Sequence, residues 1–170
     1  MPQFLRLFSR MKRHLLTTAS AGRRTFPAAT LKAIEAAIAE GETQHRAEVC
    51  LIVEATLPLQ AVLHHVTSRE RASALFTQHR IWDTEENCGV LVYLNLADHK
   101  VEIVTDRAVG HLITAKDWQA ICKSMTQDFA CGAFHEGTIA ALTRINALLQ
   151  QHFPADGTRP NQLSNKPIIL

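Results

Sequence analysis

From residue 48 the chain reads Glu-Val-Cys-Leu-Ile-Val-Glu, an apolar run bracketed by two carboxylates. A run with no polar alternation predicts a strand covered on both faces. Two further β-rich runs lie at 88–96 and 101–105, split by Ala97-Asp98-His99-Lys100. That connection is too short for a crossover, so the two runs are expected to pair as an antiparallel hairpin. Elsewhere the apolar period is helical. Leu31, Ile34 and Ile38 share one face, with Thr30 expected as the cap and Gly41 as the stop. Leu57-Pro58-Leu59 breaks the chain, and a short helical turn is expected through Ala61-Val62-Leu63. Thr67-Ser68-Arg69-Glu70 is a capping box opening a helix that buries Ala72, Leu75, Phe76 and His79. Thr114 and Asp117 repeat the signature before a stripe of Trp118, Ile121, Cys122, Met125 and Phe129, which Cys131-Gly132 ends. A last helix is expected over 134–152, with Thr138, Ala141, Leu142, Ile145, Leu148 and Leu149 facing inward and Gly137 marking close packing or a turn. Strands separated by helices predict an α/β sheet covered on both faces. Three strands are clear, and a fourth is sought in 56–66 or at an edge.

The pattern divides the chain into a basic arm over 1–25, an α/β domain over 26–154 entered at Pro27, and a polar stretch over 155–170 expected to be a flexible tail. In the arm, Phe4, Phe8, Met11 and Leu15 recur at helical spacing, with Arg6, Arg10 and Arg13 turned away from them. This is the pattern of an amphipathic helix that lies on an anionic membrane surface. The competing expectation is a helix packed on its own domain. Charge sharpens the picture. Residues 1–24 carry Arg6, Arg10, Lys12, Arg13, Arg23 and Arg24 and no acid, so the net charge of +2 hides a basic arm on an acidic body. The cations are not interleaved with Tyr or Trp and form no recognition motif, so nucleic acid is not expected as a partner. No apolar run approaches the roughly 20 residues of a membrane span, and basic residues interrupt the N-terminus too often for a secretory signal. Cys50, Cys88, Cys122 and Cys131 form no Cys-x-x-Cys pair and suit free thiols in a reducing, cytoplasmic compartment.

Candidate chemistry concentrates in Trp82-Asp83-Thr84-Glu85-Glu86-Asn87-Cys88-Gly89, the loop that feeds the first hairpin strand. Asp83, Glu85, Glu86 and Asn87 supply oxygen donors. In a hairpin the start of one strand lies beside the end of its partner, so Asp106 is expected close to this loop. Oxygens from two segments suit Ca²⁺ or Mg²⁺, although the 12-residue spacing of an EF-hand is absent. The bland alternative is a solvated acidic loop in which Asp83 caps a turn and Asp106 pairs with Arg107. Beside a metal, Arg107 is a candidate phosphate contact. Thr84 and Asp106 are the only candidate nucleophiles, and no partner for either is evident. No Gly-rich phosphate loop or Ser/His/Asp arrangement is present, and no organic cofactor is expected. His64 and His65 diverge in any regular structure and read as structural; His111 falls at the edge of the candidate site.

The same segment resembles the TPM-domain family, named for thylakoid-lumen proteins of photosystem repair and their bacterial relatives. The resemblance runs through Ile81, Trp82-Asp83-Thr84-Glu85, Asn87, Gly89-Val90-Leu91, Leu96-Ala97-Asp98, Val101-Glu102-Ile103-Val104 and Asp106-Arg107. It extends to Trp118 and Phe134-x-x-Gly137, and upstream to Arg46, Glu48, Ser68 and Arg69, covering about 26–154. The chain looks most similar to short proteobacterial members without signal peptide or membrane span. The resemblance implies a three-layer α/β/α sandwich with a small mixed central sheet. It also implies a functional tag: plant relatives are described as phosphatase-like and bacterial relatives as binding divalent cations. Two departures stand out. Cys88 replaces a second Asn, which weakens an oxygen ligand there, and Ala108 replaces a Gly after Asp-Arg, which disfavours a left-handed turn. The expected function is a non-catalytic, cation-binding module of envelope or protein-quality maintenance, cytoplasmic and peripheral on the inner membrane, with a protein partner the sequence does not name. The rivals are a weak metal-dependent phosphatase and a ligand-free interaction domain.

Overall fold

A computed structural model describes residues 3–18, 20–157 and 160–170, with side chains described from residue 7 onward. Three helices open the chain: α1 (Gln3–Leu16), α2 (Ser20–Thr25) and α3 (Ala28–Glu42). Strand β1 (Glu48–Glu54) follows, then α4 (Leu59–Leu63) and α5 (Ser68–Gln78). The hairpin is β2 (Gly89–Asn95) and β3 (Lys100–Thr105), and α6 (Arg107–Leu112), α7 (Ala115–Ala130) and α8 (Phe134–His152) come after it. The last element is β4 (Ile168–Ile169).

The sheet has the order β3-β2-β1-β4. Its register is parallel between β1 and β2 and antiparallel between β2 and β3, with Val90 opposite Thr105 and Asn95 opposite Lys100. Alternation along the buried strands builds two cores. Val49, Leu51 and Val53 join Val90 and Val92 against Ile38, Ile121 and Ile145, on the side of α3, α7 and α8. Cys50, Ile52, Leu91 and Tyr93 turn the other way, onto Ala72 and Leu75 of α5. Helices on both faces explain why every residue of β1 and β2 is buried. The mixed sheet, its hairpin and the flanking helices are the α/β architecture expected.

Both capping boxes form: the Thr67 and Thr114 hydroxyls accept from the Glu70 and Asp117 amides, and each carboxylate accepts from its cap residue in return. Gly137 lies where a Cβ would sit 2.7 Å from the Asp128 Cβ, so α8 approaches α7 closely there.

Three local expectations are corrected and one pair of alternatives is decided. Helix α3 starts at Ala28 after an extended Pro27 at the N-cap, with Thr30 buried inside it, so no side chain caps this helix. Gly41 lies within that helix, and a Cβ there would stand 2.3 Å from the Asn146 side chain, so it serves packing against α8 rather than termination. Of the two places considered for a fourth strand, the structure has it at the edge of the sheet, at 168–169, pairing in parallel with Ile52 and Val53, and not in 56–66. Accordingly 160–170 does not run free of the domain: Glu48 accepts the Gln162 and Leu163 amides, and Leu170 N donates to Val53 O.

The arm follows the competing expectation of a helix packed on its own domain. Helix α1 is docked on the domain, but by its polar side: Arg10 donates to Asp98 from Nε and Nη2 at 3.0 and 2.7 Å, while Phe8, Leu15 and Leu16 are 62%, 66% and 70% exposed. Arg10 thus turns away from the apolar side chains and toward the domain. The Phe4 and Arg6 side chains lie outside the described residues.

Candidate functional site

The loop before β2 is built by short-range bonds. The Thr84 hydroxyl accepts from Cys88 N–H at 3.0 Å, and Asn87 N–H donates to Thr84 O, closing a tight turn. Asn87 takes φ 53°, a left-handed conformation that asparagine tolerates better than most residues. Gly89 then passes against Ile81, where a Cβ would lie 1.9 Å from the carbonyl oxygen, so only glycine starts the strand there. Two backbone bonds stitch this loop to the end of β3: Asp106 N–H to Gly89 O at 2.9 Å, and Ala108 N–H to Asn87 O at 3.1 Å. Asn87 and the Asp106–Ala108 segment are thereby neighbours.

Asp106 is the buried member, 9% exposed. Its Oδ1 accepts from Arg107 N–H at 2.7 Å and caps α6, while its Oδ2 is buried with no hydrogen-bond partner among the described residues. Asp83, Glu85 and Asn87 are exposed in the loop, as is Arg107 beyond it. The Glu85 amide is taken by Gln162 Oε1, and Glu86 is held by Arg46 at 2.6 Å. Among the described residues, no three His, Cys, Asp or Glu side chains converge tightly enough to hold a metal ion. The donors available here are thus one buried carboxylate, an adjacent asparagine and exposed carboxylates on the same loop. A hard cation that accepts carbonyl, amide and water oxygens suits that set better than one requiring nitrogen or sulfur. Of the histidines, His64, His65 and His111 are all exposed.

A family model described as the TPM domain matches residues 21–148. The chain belongs to the TPM-domain family. No curated protein matches it. Among solved structures it is similar to the NMR structure of the BA42 protein from the psychrophilic bacterium Bizionia argentinensis, at 22% identity and a TM-score of 0.74, over 84% of this chain and 94% of that one. That likeness is one of fold.

Within this TPM domain, Cys88 has taken a structural role. It is buried, its thiol donates to Arg46 O at 3.1 Å, and burial pushes the thiol above its ordinary range, so it offers no anionic ligand to the loop. Ala108 sits in the first turn of α6 with an ordinary helical backbone and needs no glycine.

Two polar clusters escaped the sequence reading. Near the candidate corner, Glu42 accepts from Val49 N–H at 2.9 Å, and burial raises its carboxyl to about 7, with the charge of Glu48 adding to the rise. At the other end of the sheet a continuous network crosses the fold. Arg71 holds Glu54 through Nε and Nη2 at 3.0 and 2.7 Å, and the Tyr93 hydroxyl donates to Glu54 at 2.6 Å. Asn95 Oδ1 accepts from Asp98 N–H at 2.9 Å. Asp98 then meets Arg10 and the Nε2 of His14, at 3.1 Å. Burial alone would raise the Asp98 carboxyl, but the hydrogen bonds and charge of Arg10, with His14, outweigh it and hold the group below the usual range. Leu57 N–H donates to His14 Nδ1 at 3.0 Å, which makes Nε2 the protonated nitrogen of the neutral ring; it lies 3.1 Å from Asp98 without hydrogen-bond alignment. The signal that was available for this network is two charged ends on an apolar strand: Glu48 and Glu54 bracket β1, and a buried charge is rarely left unpaired.

Proposed function

We propose that this TPM domain is a non-catalytic module that takes a hard divalent cation, Ca²⁺ or Mg²⁺, at the corner formed by Asp106 and the Asn87 turn. Asp83 and Glu85 lie on the same loop as outer oxygen donors. The observation that carries the reading is the buried Asp106 Oδ2 with no partner. A desolvated carboxylate oxygen is costly unless a donor or a cation meets it. Family membership supports a role in envelope or protein-quality maintenance. A phosphatase at the same corner, with Arg107 as phosphate contact, is less well supported: Thr84 is buried and its hydroxyl oxygen is already taken by the Cys88 amide.

The test is a calcium and magnesium titration of the full chain followed by amide NMR. Saturable shifts are expected at 83–89 and 106–108, with weak affinity, on the order of millimolar, because few charged donors converge. Asp106→Asn is expected to abolish them. Absence of shifts in the wild-type chain, or shifts that survive the substitution, would remove the cation from this corner.

A further inference from the structure

Helix α1 meets the protein with the wrong side for a helix that stabilises itself by burying apolar surface. Arg10 and His14, one turn apart, face inward onto Asp98, with Arg10 Nη2 also donating to Val66 O at 2.7 Å. Phe8 and Leu15, two turns apart, lie on the opposite face with Leu16 beside them, and all three are more than half exposed. Helix α4, against which α1 packs, adds two part-exposed leucines, Leu59 and Leu63, at 44% and 46%. Scattered exposed apolar residues are ordinary, but a contiguous set on one helix face, anchored from behind by a buried ion pair, marks a surface that something covers.

Charge identifies the occupant. Lys12 falls within the apolar face and Arg23 and Arg24 are exposed on α2, while Arg13 at the flank is about half exposed and also pairs with Asp98 at 3.6 Å; residues 1–24 contain no acidic side chain. A second copy of the chain would bring these cations face to face. We propose that the outward face of α1, with Leu59 and Leu63 of α4, docks on an anionic phospholipid bilayer while α1 stays folded on the domain through Asp98. The apolar side chains enter the boundary between headgroups and acyl chains, and the lysine and arginines meet the phosphates. Because the helix is already folded and oriented, binding does not have to order it. Asp98 and Asp106 stand at opposite ends of β3, about 20 Å of strand, so the cation corner faces away from the lipid. The inference is independent of whether a cation binds there.

The experiment is co-sedimentation of the full chain with vesicles of phosphatidylcholine containing about a third phosphatidylglycerol, and with phosphatidylcholine alone, at low and high salt. The wild-type chain is expected to bind the anionic vesicles about tenfold or more tightly than the neutral ones, and to release as salt rises. Phe8→Ser with Leu15→Ser is expected to lower binding about tenfold while leaving the circular dichroism spectrum unchanged, since both positions are exposed. Lys12→Glu with Arg23→Glu is expected to remove most of the preference for anionic lipid. Negligible pelleting of the wild-type chain, or equal pelleting of wild type and the Phe8/Leu15 variant, would overturn the proposal. So would a wild-type dimer that this variant converts to a monomer, since a second copy would then be the occupant.

Discussion

Asp98 and Asp106 stand at the two ends of β3, and both are nearly buried, yet their surroundings are opposite. Both oxygens of Asp98 are paired: Arg10 bonds each of them, Arg13 and His14 Nε2 lie 3.6 and 3.1 Å away, and its carboxyl is held below the ordinary range. Asp106 has one oxygen committed to capping α6 and one with no partner. Burial alone would have ranked the two equally. What separates them is satisfaction. A carboxylate whose lone pairs are all used holds the fold together, whereas one with an idle buried oxygen is where a ligand gains most. The same distinction separates the ends of the molecule: one is closed by α1 over a paired polar network, and the other carries a loop of exposed oxygen donors.

The strongest way to break this contrast is Asp98→Ala. It strands a buried guanidinium and imidazole, so a destabilisation on the order of 3 kcal/mol is expected in urea unfolding. A loss below about 1 kcal/mol would show that Asp98 does not anchor α1.

The two ends are also expected to respond to pH in opposite directions. At the β1 entry, on the same end of the sheet as the candidate corner, burial raises the Glu42 carboxyl to about 7 in the folded protein against an ordinary value near 4.5. The folded state therefore binds its proton more tightly, and the stability this contributes is present below 4.5 and lost as pH rises toward 7. Glu42→Gln is expected to stabilise the protein by about 1–3 kcal/mol at pH 8 and by little at pH 4, read from melts at both. Asp98 runs the other way. Its folded value is depressed, so its contribution is present above the unfolded value of about 3.9 and lost as pH falls through the lower folded value. Acid is expected to loosen α1 first, visible as exchange broadening of the Arg10 and His14 signals. Broadening that begins at the 83–89 loop instead would reverse the assignment.

The smallest expected effect sharpens the comparison from the other side. Asp106→Asn keeps an oxygen to cap α6, and asparagine caps nearly as well as aspartate, so stability is expected to change by less than about 1 kcal/mol. If it falls by as much as for Asp98→Ala, then Asp106 is an anchor too and its idle oxygen is incidental.

What the sequence determined by itself is what short-range chemistry fixes. The span of β1 follows from an apolar run with no alternation, and the hairpin from a connection that admits no crossover. The Thr67/Glu70 and Thr114/Asp117 boxes form because each pair is three residues apart on one turn. The neighbourhood of Asn87 and Asp106 was likewise legible, since hairpin register brings the start of β2 to the end of β3. What only the tertiary structure decided depends on partners remote in the chain. Helical periodicity shows that α1 has a polar and an apolar side but not which one meets the domain; Asp98, 88 residues from Arg10, decides that. Two isoleucines after a polar stretch carry no strand signal of their own, and Ile168 and Ile169 become β4 only because the edge of β1 offers them a ladder. That one oxygen of Asp106 is left without a partner is likewise invisible in a sequence, because a hydrogen bond that is not made depends on every group that folding brings within reach.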